Sequence, residues 1–222
     1  MKRNSETNTT HELTRLIYKA ICWKHEGKMS GMASLSTSPL KNPGCVARRN
    51  IKGSICEKCF SYNLNEFRDA LREKLIVNTM LLCKEVYPVK TFPLLNLLYF
   101  RLEAFGDLIN TIQVMNYFNF CRRNPRTTFA LWTKNPLIIR KALLEGAKKP
   151  SNLIIIFSSC MINQQVDFEV VKKVFPFIDK IFTVYDKDQA KNVNINCGAN
   201  HCLSCLRCYK KLSDKVINEK LK

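Results

Sequence analysis

The chain has 222 residues, of which 46% are hydrophobic, enough for one substantial core in a single domain or a domain with an appendage. It carries 36 Lys and Arg against 18 Asp and Glu, a formal charge of +18 that favours phosphates, acidic partners or anionic surfaces and makes nucleic acid or a nucleotide a candidate partner. No stretch of about 18 uncharged apolar residues is present and Met1-Lys2-Arg3-Asn4-Ser5 leads into polar sequence, which excludes an obvious membrane span or signal-peptide core, so a soluble cytoplasmic protein is expected.

Thr9 and Glu12 have capping-box spacing, and Leu13, Leu16, Ile17, Ala20 and Ile21 recur on one helical face, which predicts an opening helix to about Trp23. From Lys28 to Ser61 the composition turns to Gly, Ser, Pro and Cys, the mark of a short strand running into a long loop. Phe67, Leu71, Leu75 and Leu82 predict an amphipathic helix that ends near Tyr87, before Pro88. Strands and helices then alternate. Leu97 to Phe105 reads as a strand, Leu108 to Cys121 as a helix and Thr128 to Thr133 as a second strand, after which Asn135-Pro136 supplies an N-cap and first-turn proline for a helix to about Glu145. Leu153 to Ser158 is β-branched and almost uninterrupted, as in a parallel strand covered on both faces. Val166 to Val174 reads as helix, Ile181 to Tyr185 as strand and about Tyr209 to Leu221 as a terminal helix.

Repeated strand-helix units of this size imply an α/β fold, a partial (β/α) barrel or parallel sheet, followed by a cysteine-rich metal-binding segment. The expected organisation is an N-terminal helix over 1–27, the α/β core over 28–190, and the cysteine-rich segment with its terminal helix over 191–222.

Eleven cysteines, an odd number in a chain expected in a reducing compartment, point to metal ligation over disulfides. The first group, Cys45, Cys56 and Cys59, has C-x10-C-x2-C spacing on a loop with Gly44 and Gly53. Three thiolates on one loop can hold three irons of a [4Fe-4S] cube and leave the fourth open to a ligand. The second group, Cys197, Cys202, Cys205 and Cys208, has C-x4-C-x2-C-x2-C spacing, and four soft ligands so close together can complete a tetrahedral zinc site or a cluster. His201 lies within this group, but four cysteines already satisfy such a site. Cys22, Cys83 and Cys121 read as packing residues, whereas Cys160 directly follows a predicted strand, where a barrel places its reactive face. Spacing does not separate iron from zinc, and a cross-braced zinc module remains the alternative.

Arg101 and Glu103 alternate with Phe100, Leu102 and Ala104, which predicts that both charges point to one side of a strand, the lumen side in a barrel. Asp107 follows Gly106 at the expected end of that strand, and Lys134 closes the next, placed to bind a carboxylate or phosphate. Asp107, Glu103 and Lys134 are therefore the candidate catalytic residues. The three histidines, His11, His25 and His201, are not placed as the base of a hydrolase, so Ser158 and Ser159 do not suggest one.

The stretches Lys28-Met29-Ser30-Gly31, Cys56-Glu57-Lys58-Cys59-Phe60, Phe100-Arg101 with Phe105-Gly106-Asp107-Leu108, Leu131-Trp132-Thr133-Lys134 and Cys202-Leu203-Ser204-Cys205-Leu206-Arg207-Cys208-Tyr209 resemble the phage gene product 88 family in order and spacing, over roughly residues 28 to 210. That resemblance implies a phage or mobile-element protein and no particular activity. The same arrangement also resembles outlying radical-SAM-like proteins, although their usual C-x3-C-x2-C loop is replaced here by a first gap of ten residues. This second resemblance implies a 4Fe-4S iron-sulfur cluster held by Cys45, Cys56 and Cys59, S-adenosylmethionine as cofactor, and Gly106 with Asp107 binding its methionine amino group. It also implies an electron donor. The sequence names no other protein partner, and a non-catalytic zinc or iron-sulfur module that binds nucleic acid is the competing expectation.

Overall fold

In the computed structural model, which describes residues 2–24 and 26–221, the elements run α1 (Lys2–Ala20), β1 (Cys22–Trp23), β2 (Ala33–Leu35), α2 (Pro43–Arg49), α3 (Phe60–Phe67), α4 (Asp69–Lys84), β3 (Tyr99–Leu102), α5 (Thr111–Arg123), β4 (Thr128–Thr133), α6 (Pro136–Leu144), β5 (Leu153–Ser158), α7 (Phe168–Val174), β6 (Lys180–Tyr185), α8 (Cys202–Cys205) and β7 (Val216–Lys220). His25, considered above as a hydrolase base, lies outside the described residues.

The expected α/β architecture is present: the strands form one seven-stranded sheet in the order β1-β2-β3-β4-β5-β6-β7. β1 is antiparallel to β2, and every later neighbour is parallel. Parallel neighbours in chain order mean that the sheet grows in one direction without the reversal of a doubly wound fold.

Alternation along each strand separates two apolar layers. Phe100, Leu102, Phe129, Leu131, Leu153 and Ile155 pack with residues of α1, α5 and α6 in the main core. On the opposite face Ala130, Ile154 and Ile156 pack with Met32 and Tyr209, flanked by Trp132, Phe182, Cys202, Leu206 and Cys208. The segment between β6 and β7 therefore lies across the face opposite the main helical layer. Lys180, fully buried at the start of β6, fastens that segment by donating to Ser213 Oγ at 2.9 Å and Asp214 O at 2.8 Å.

Several local expectations are corrected. The opening helix begins at Lys2, so Thr9 and Glu12 lie inside it and not at its start, and it ends at Ala20 because Cys22 and Trp23 pair with Ser34 and Ala33. The long cysteine loop contains α2, started by Pro43 and capped by Asn42 Oδ1, which accepts from Gly44 N at 2.9 Å and Cys45 N at 3.3 Å. β3 stops at Leu102 because Glu103 turns to φ 55°. Asn135 occupies the N-cap position of α6 without a side-chain cap bond, while its N–H donates to Thr133 Oγ1 at 2.9 Å.

The expected terminal helix is also corrected. β7 pairs Val216 to Lys220 with Ile181 to Tyr185, buries Ile217 completely, and donates from Asn218 N to Asn196 Oδ1 at 2.8 Å. Pairing with a distant strand overrides the local helical character of Asn218-Glu219-Lys220. No described helix is long and apolar enough to cross a membrane.

Candidate metal centre and cavity

The first cysteine group is built from three segments. Cys45 sits on α2, Cys56 on the following turn, and Cys59 at the N-cap position of α3. The turn is held to the loop after β5 by Ile55 N donating to Cys160 O at 2.8 Å and Ile162 N to Gly53 O at 3.2 Å, around an antiparallel bridge of Ser54 with Met161. This pairing sets Cys56 against Cys160. The neighbouring Cys56 thiol, with the charges of Lys134 and Arg48, holds the Cys160 thiol below the usual thiol range. Cys160 and burial together push Cys56 up. Burial pushes Cys45 up to about 12, with the charge of Asp107 adding and that of Arg48 opposing.

Asp107 organises this end of the sheet. Its Oδ2 accepts from Arg48 Nη2 at 2.6 Å and Lys134 N at 3.2 Å, and its Oδ1 from Thr133 Oγ1 at 2.6 Å and Leu108 N at 2.8 Å. Its carboxylate thus joins α2, the end of β4 and its own turn. Arg48 also reaches Cys45 Sγ at 4.0 Å. Lys134 Nζ donates to Ser158 Oγ at 3.2 Å.

Glu103 departs from the expected arrangement beside Arg101. Its left-handed backbone takes the carboxylate away from the alternation of β3 and against α5, where Thr37 N, Thr37 Oγ1, Gln113 Nε2 and Tyr117 OH donate to it. Burial outweighs these donors and pushes its pKa up to about 8. Gly106 is required beside it, since a Cβ there would stand 2.5 Å from Thr37 O and 2.6 Å from Glu103 Oε2.

Arg101 keeps the expected side. Its guanidinium stacks 4.0 Å from the Trp132 ring centroid, and its Nη1 lies 3.3 Å from Met29 Sδ. It lies within electrostatic reach of Cys202 and Cys208.

The second cysteine group is drawn together by α8 and its flanks. Cys202 N donates to Lys28 O at 2.7 Å, and Leu206, at φ 53°, closes α8 by donating to Cys202 O at 2.8 Å. Lys28 Nζ donates to Cys197 Sγ at 3.1 Å and to Glu219 Oε1 at 2.8 Å. Burial works against the Lys28 charge, but Glu219 and Cys197 outweigh it and raise its pKa. Burial pushes Cys208 up to about 12, with Arg101 opposing.

The two groups face one cavity of ≈ 580 Å³, lined by Cys56 and Cys59 on one side and by Cys197, Cys202, Cys205 and Cys208 on the other. Lys28, Lys58, Arg101, Lys134, Arg207 and Lys220 bring positive charge to it, and Glu219 is the acidic residue in its lining.

Among the described residues, no group of three or more His, Cys, Asp or Glu side chains is drawn tightly enough to hold a metal ion. The donor chemistry nevertheless fits a thiophilic metal or cluster, with many thiols, few carboxylates, and Lys28 already donating to a cysteine sulfur. One zinc ion at about 2.3 Å from each thiolate requires sulfurs packed about 4 Å apart, whereas a cluster spans several atoms and holds its thiolates more widely.

The family model of gene product 88 matches residues 5–216. The chain belongs to the gene product 88 family. No curated protein matches the chain, and no solved structure does.

In this gene product 88 member, Cys45, Cys56, Asp107 and Lys134 come together at the carboxyl ends of the strands, the four distal cysteines gather across the cavity, and Glu103 stands apart in the core. In the sequence Arg48 stands out only as half of the basic pair Arg48-Arg49, one of several such clusters that could contact phosphates, and Cys160 only by its place after a strand. Its contact with Cys56 depends on pairing between segments about a hundred residues apart, for which sequence spacing carries no signal.

Proposed function

We propose that this protein is a cysteine-ligated iron-sulfur protein with radical-SAM-like chemistry. The observation that carries the reading is the cavity, which has cysteines of both groups in its walls and positive charge around it. The chain order supports the finer reading: the cysteine loop follows β2, Gly106-Asp107 follows β3 and Lys134 follows β4, in a sheet of sequential parallel strands. Cys45, Cys56 and Cys59 would hold the first cluster, and Cys197, Cys202, Cys205 and Cys208 an auxiliary cluster or zinc. A reduced cluster of this kind supplies the electron that splits S-adenosylmethionine into methionine and a carbon radical, and an external electron donor must replace that electron.

The chain's own residues position and enclose the site. Asp107, through Arg48, anchors the helix that carries Cys45. Arg101 and Lys134 present cationic groups to the cavity, suited to the phosphate of a nucleotide or nucleic-acid substrate. Glu103 supports the turn that carries Gly106 and is not itself in the cavity lining, which makes it a positioning residue.

The test is iron and acid-labile sulfide analysis of anaerobically purified protein, with EPR after reduction and assay of 5'-deoxyadenosine. Iron with sulfide, a signal that changes on adding S-adenosylmethionine, and product lost in Cys56→Ala and Cys59→Ala support the proposal. Stoichiometric zinc without sulfide overturns it.

The formal charge of +18 favours one second reading, a non-catalytic zinc or iron-sulfur module that binds nucleic acid. Metal-dependent, salt-sensitive affinity for nucleic acid without turnover of S-adenosylmethionine identifies that case.

A further inference from the structure

We propose that the edge of the sheet where β4 to β7 begin is a docking face for the phosphate backbone of a nucleic-acid duplex. It lies opposite the strand ends that carry Lys134 and Ser158, and it stands whichever metal the cysteine groups hold.

The fold assembles this face from basic pairs that are far apart in the chain. Strands β4 to β7 are parallel neighbours, so the four connections that enter them meet along one edge. Arg122 and Arg126 flank the turn into β4, Lys148 and Lys149 precede β5, and Lys210 and Lys211 precede β7. Asn152 Nδ2 donates to Cys121 O at 3.0 Å and Thr127 O at 2.9 Å, which ties the connection before β5 to the one before β4. Arg122 Nη2 donates to Lys148 O, and Lys211 Nζ to Ser151 O. Lys149 Nζ reaches Phe177 O, in the connection before β6, at 2.9 Å.

These bonds position the cations without neutralising them, because a peptide carbonyl carries no net charge. The acidic residues of the four connections are Glu145, Asp179 and Asp214, and two are already engaged, Asp179 by Lys149 and Asp214 by Arg207. A basic last turn answers the helix dipole at Arg122 on α5. Arg126, Lys148, Lys210 and Lys211 lie outside the α-helices and are exposed, so the dipole does not account for them. Burial lowers the Lys149 pKa against the pull of Asp179, and Lys172 and Lys211 lower it further, as expected where like charges are held together.

The shape of the charge selects the partner. Four strands about 4.8 Å apart make an edge of about 15 Å. That is the length of about four phosphates on one strand of a duplex, at about 3.4 Å each. Phe175 and Phe177, the aromatic residues of these connections, pack against the core and each other, so the face offers charge and not a platform for stacking bases. Binding independent of base sequence is expected. An anionic lipid surface is held by an amphipathic helix with its apolar face inserted, whereas the segment from Lys210 to Lys215 forms no helix.

The full chain, with its metal as purified, is titrated at several salt concentrations against two short DNA duplexes of unrelated sequence and against phosphatidylserine vesicles. Arg126→Gln/Lys148→Gln/Lys210→Gln removes three exposed charges and leaves the carbonyl bonds of Arg122 and Lys211 in place. Lys41→Gln/Lys52→Gln/Lys187→Gln removes the same charge from exposed positions in the loops after β2 and β6, at the other end of the sheet. Circular dichroism and metal content check that both variants are intact. The wild type is expected to bind both duplexes alike, with a log–log salt slope that falls by about 3 in the first variant and by much less in the second. No duplex binding by the wild type at low salt, or equal losses in the two variants, overturns the proposal. Loss of vesicle binding in the first variant with duplex binding unchanged also overturns it and assigns the face to a membrane surface.

Discussion

Arg48 donates to Asp107 at 2.6 Å, with only 15% and 6% of the two side chains exposed, and this ion pair fastens α2 to the end of the sheet. Cys45 lies on α2, so the pair determines where the first thiol of the site stands. The two partners are not equivalent. Without Arg48, Asp107 keeps Thr133, Leu108 and Lys134 as donors, whereas without Asp107 the guanidinium loses its carboxylate. Asp107→Ala is therefore expected to destabilise the fold by about 3 kcal/mol and Arg48→Ala by about 1–2 kcal/mol. Urea unfolding followed by circular dichroism measures both, and equal losses would contradict this division of roles.

Glu103 makes stability depend on pH. Its pKa rises from 4.5 to about 8 on folding, chiefly through burial and against the donors Tyr117 and Thr37. A raised folded pKa means that the folded state holds the proton more tightly than the unfolded chain. The stabilising contribution is thus fully present below the unfolded value of 4.5 and is lost as pH rises through about 8. Glu103→Gln should remove this part of the slope and narrow the stability difference between pH 5 and pH 9. Denaturant titrations at the two pH values test it, and an unchanged difference in the variant would count against the assignment.

Gly106 has the tightest surroundings of the glycines. A Cβ would approach Thr37 O, a backbone atom, to 2.5 Å, while a Cβ on Gly198 meets nothing within 4 Å. Gly106→Ala is expected to cost about 2–3 kcal/mol through overpacking and Gly198→Ala less than about 1 kcal/mol. Thermal and urea unfolding of the two variants should separate them clearly.

The sequence was most legible where local pattern and tertiary demand agree. Thr128–Thr133 and Leu153–Ser158 were placed with their observed bounds because buried parallel strands require continuous apolar runs. Val216–Lys220 was misread because its partner, β6, lies some thirty residues earlier and contributes nothing to a local pattern. The same physics applies at the site. Clustered Cys202, Cys205 and Cys208 declare themselves by spacing, but the meeting of Cys56 with Cys160 depends on two loops closing against each other. Strict alternation failed at Glu103 because one left-handed residue redirects every side chain that follows.

Lys28 supplies the last test, at the second cysteine group. Its ammonium lies 3.1 Å from Cys197 Sγ and 2.8 Å from Glu219 Oε1, so it links a candidate ligand to β7 across the start of the cavity lining. A donor to a metal-bound thiolate orients the sulfur and offsets its charge, and loss of such a donor typically weakens metal binding about 10–100-fold. Lys28→Met keeps most of the apolar stem and removes the donor. It is expected to release the metal of the second group to a chelator about 10–100-fold more readily, while the fraction lost in Cys56→Ser stays bound. Glu219→Gln separates the two roles of Lys28, because it removes the ion pair but leaves the ammonium beside Cys197. Retention of metal in Glu219→Gln with loss in Lys28→Met supports direct action on the thiolate, whereas equal loss in both assigns the effect to anchoring by β7.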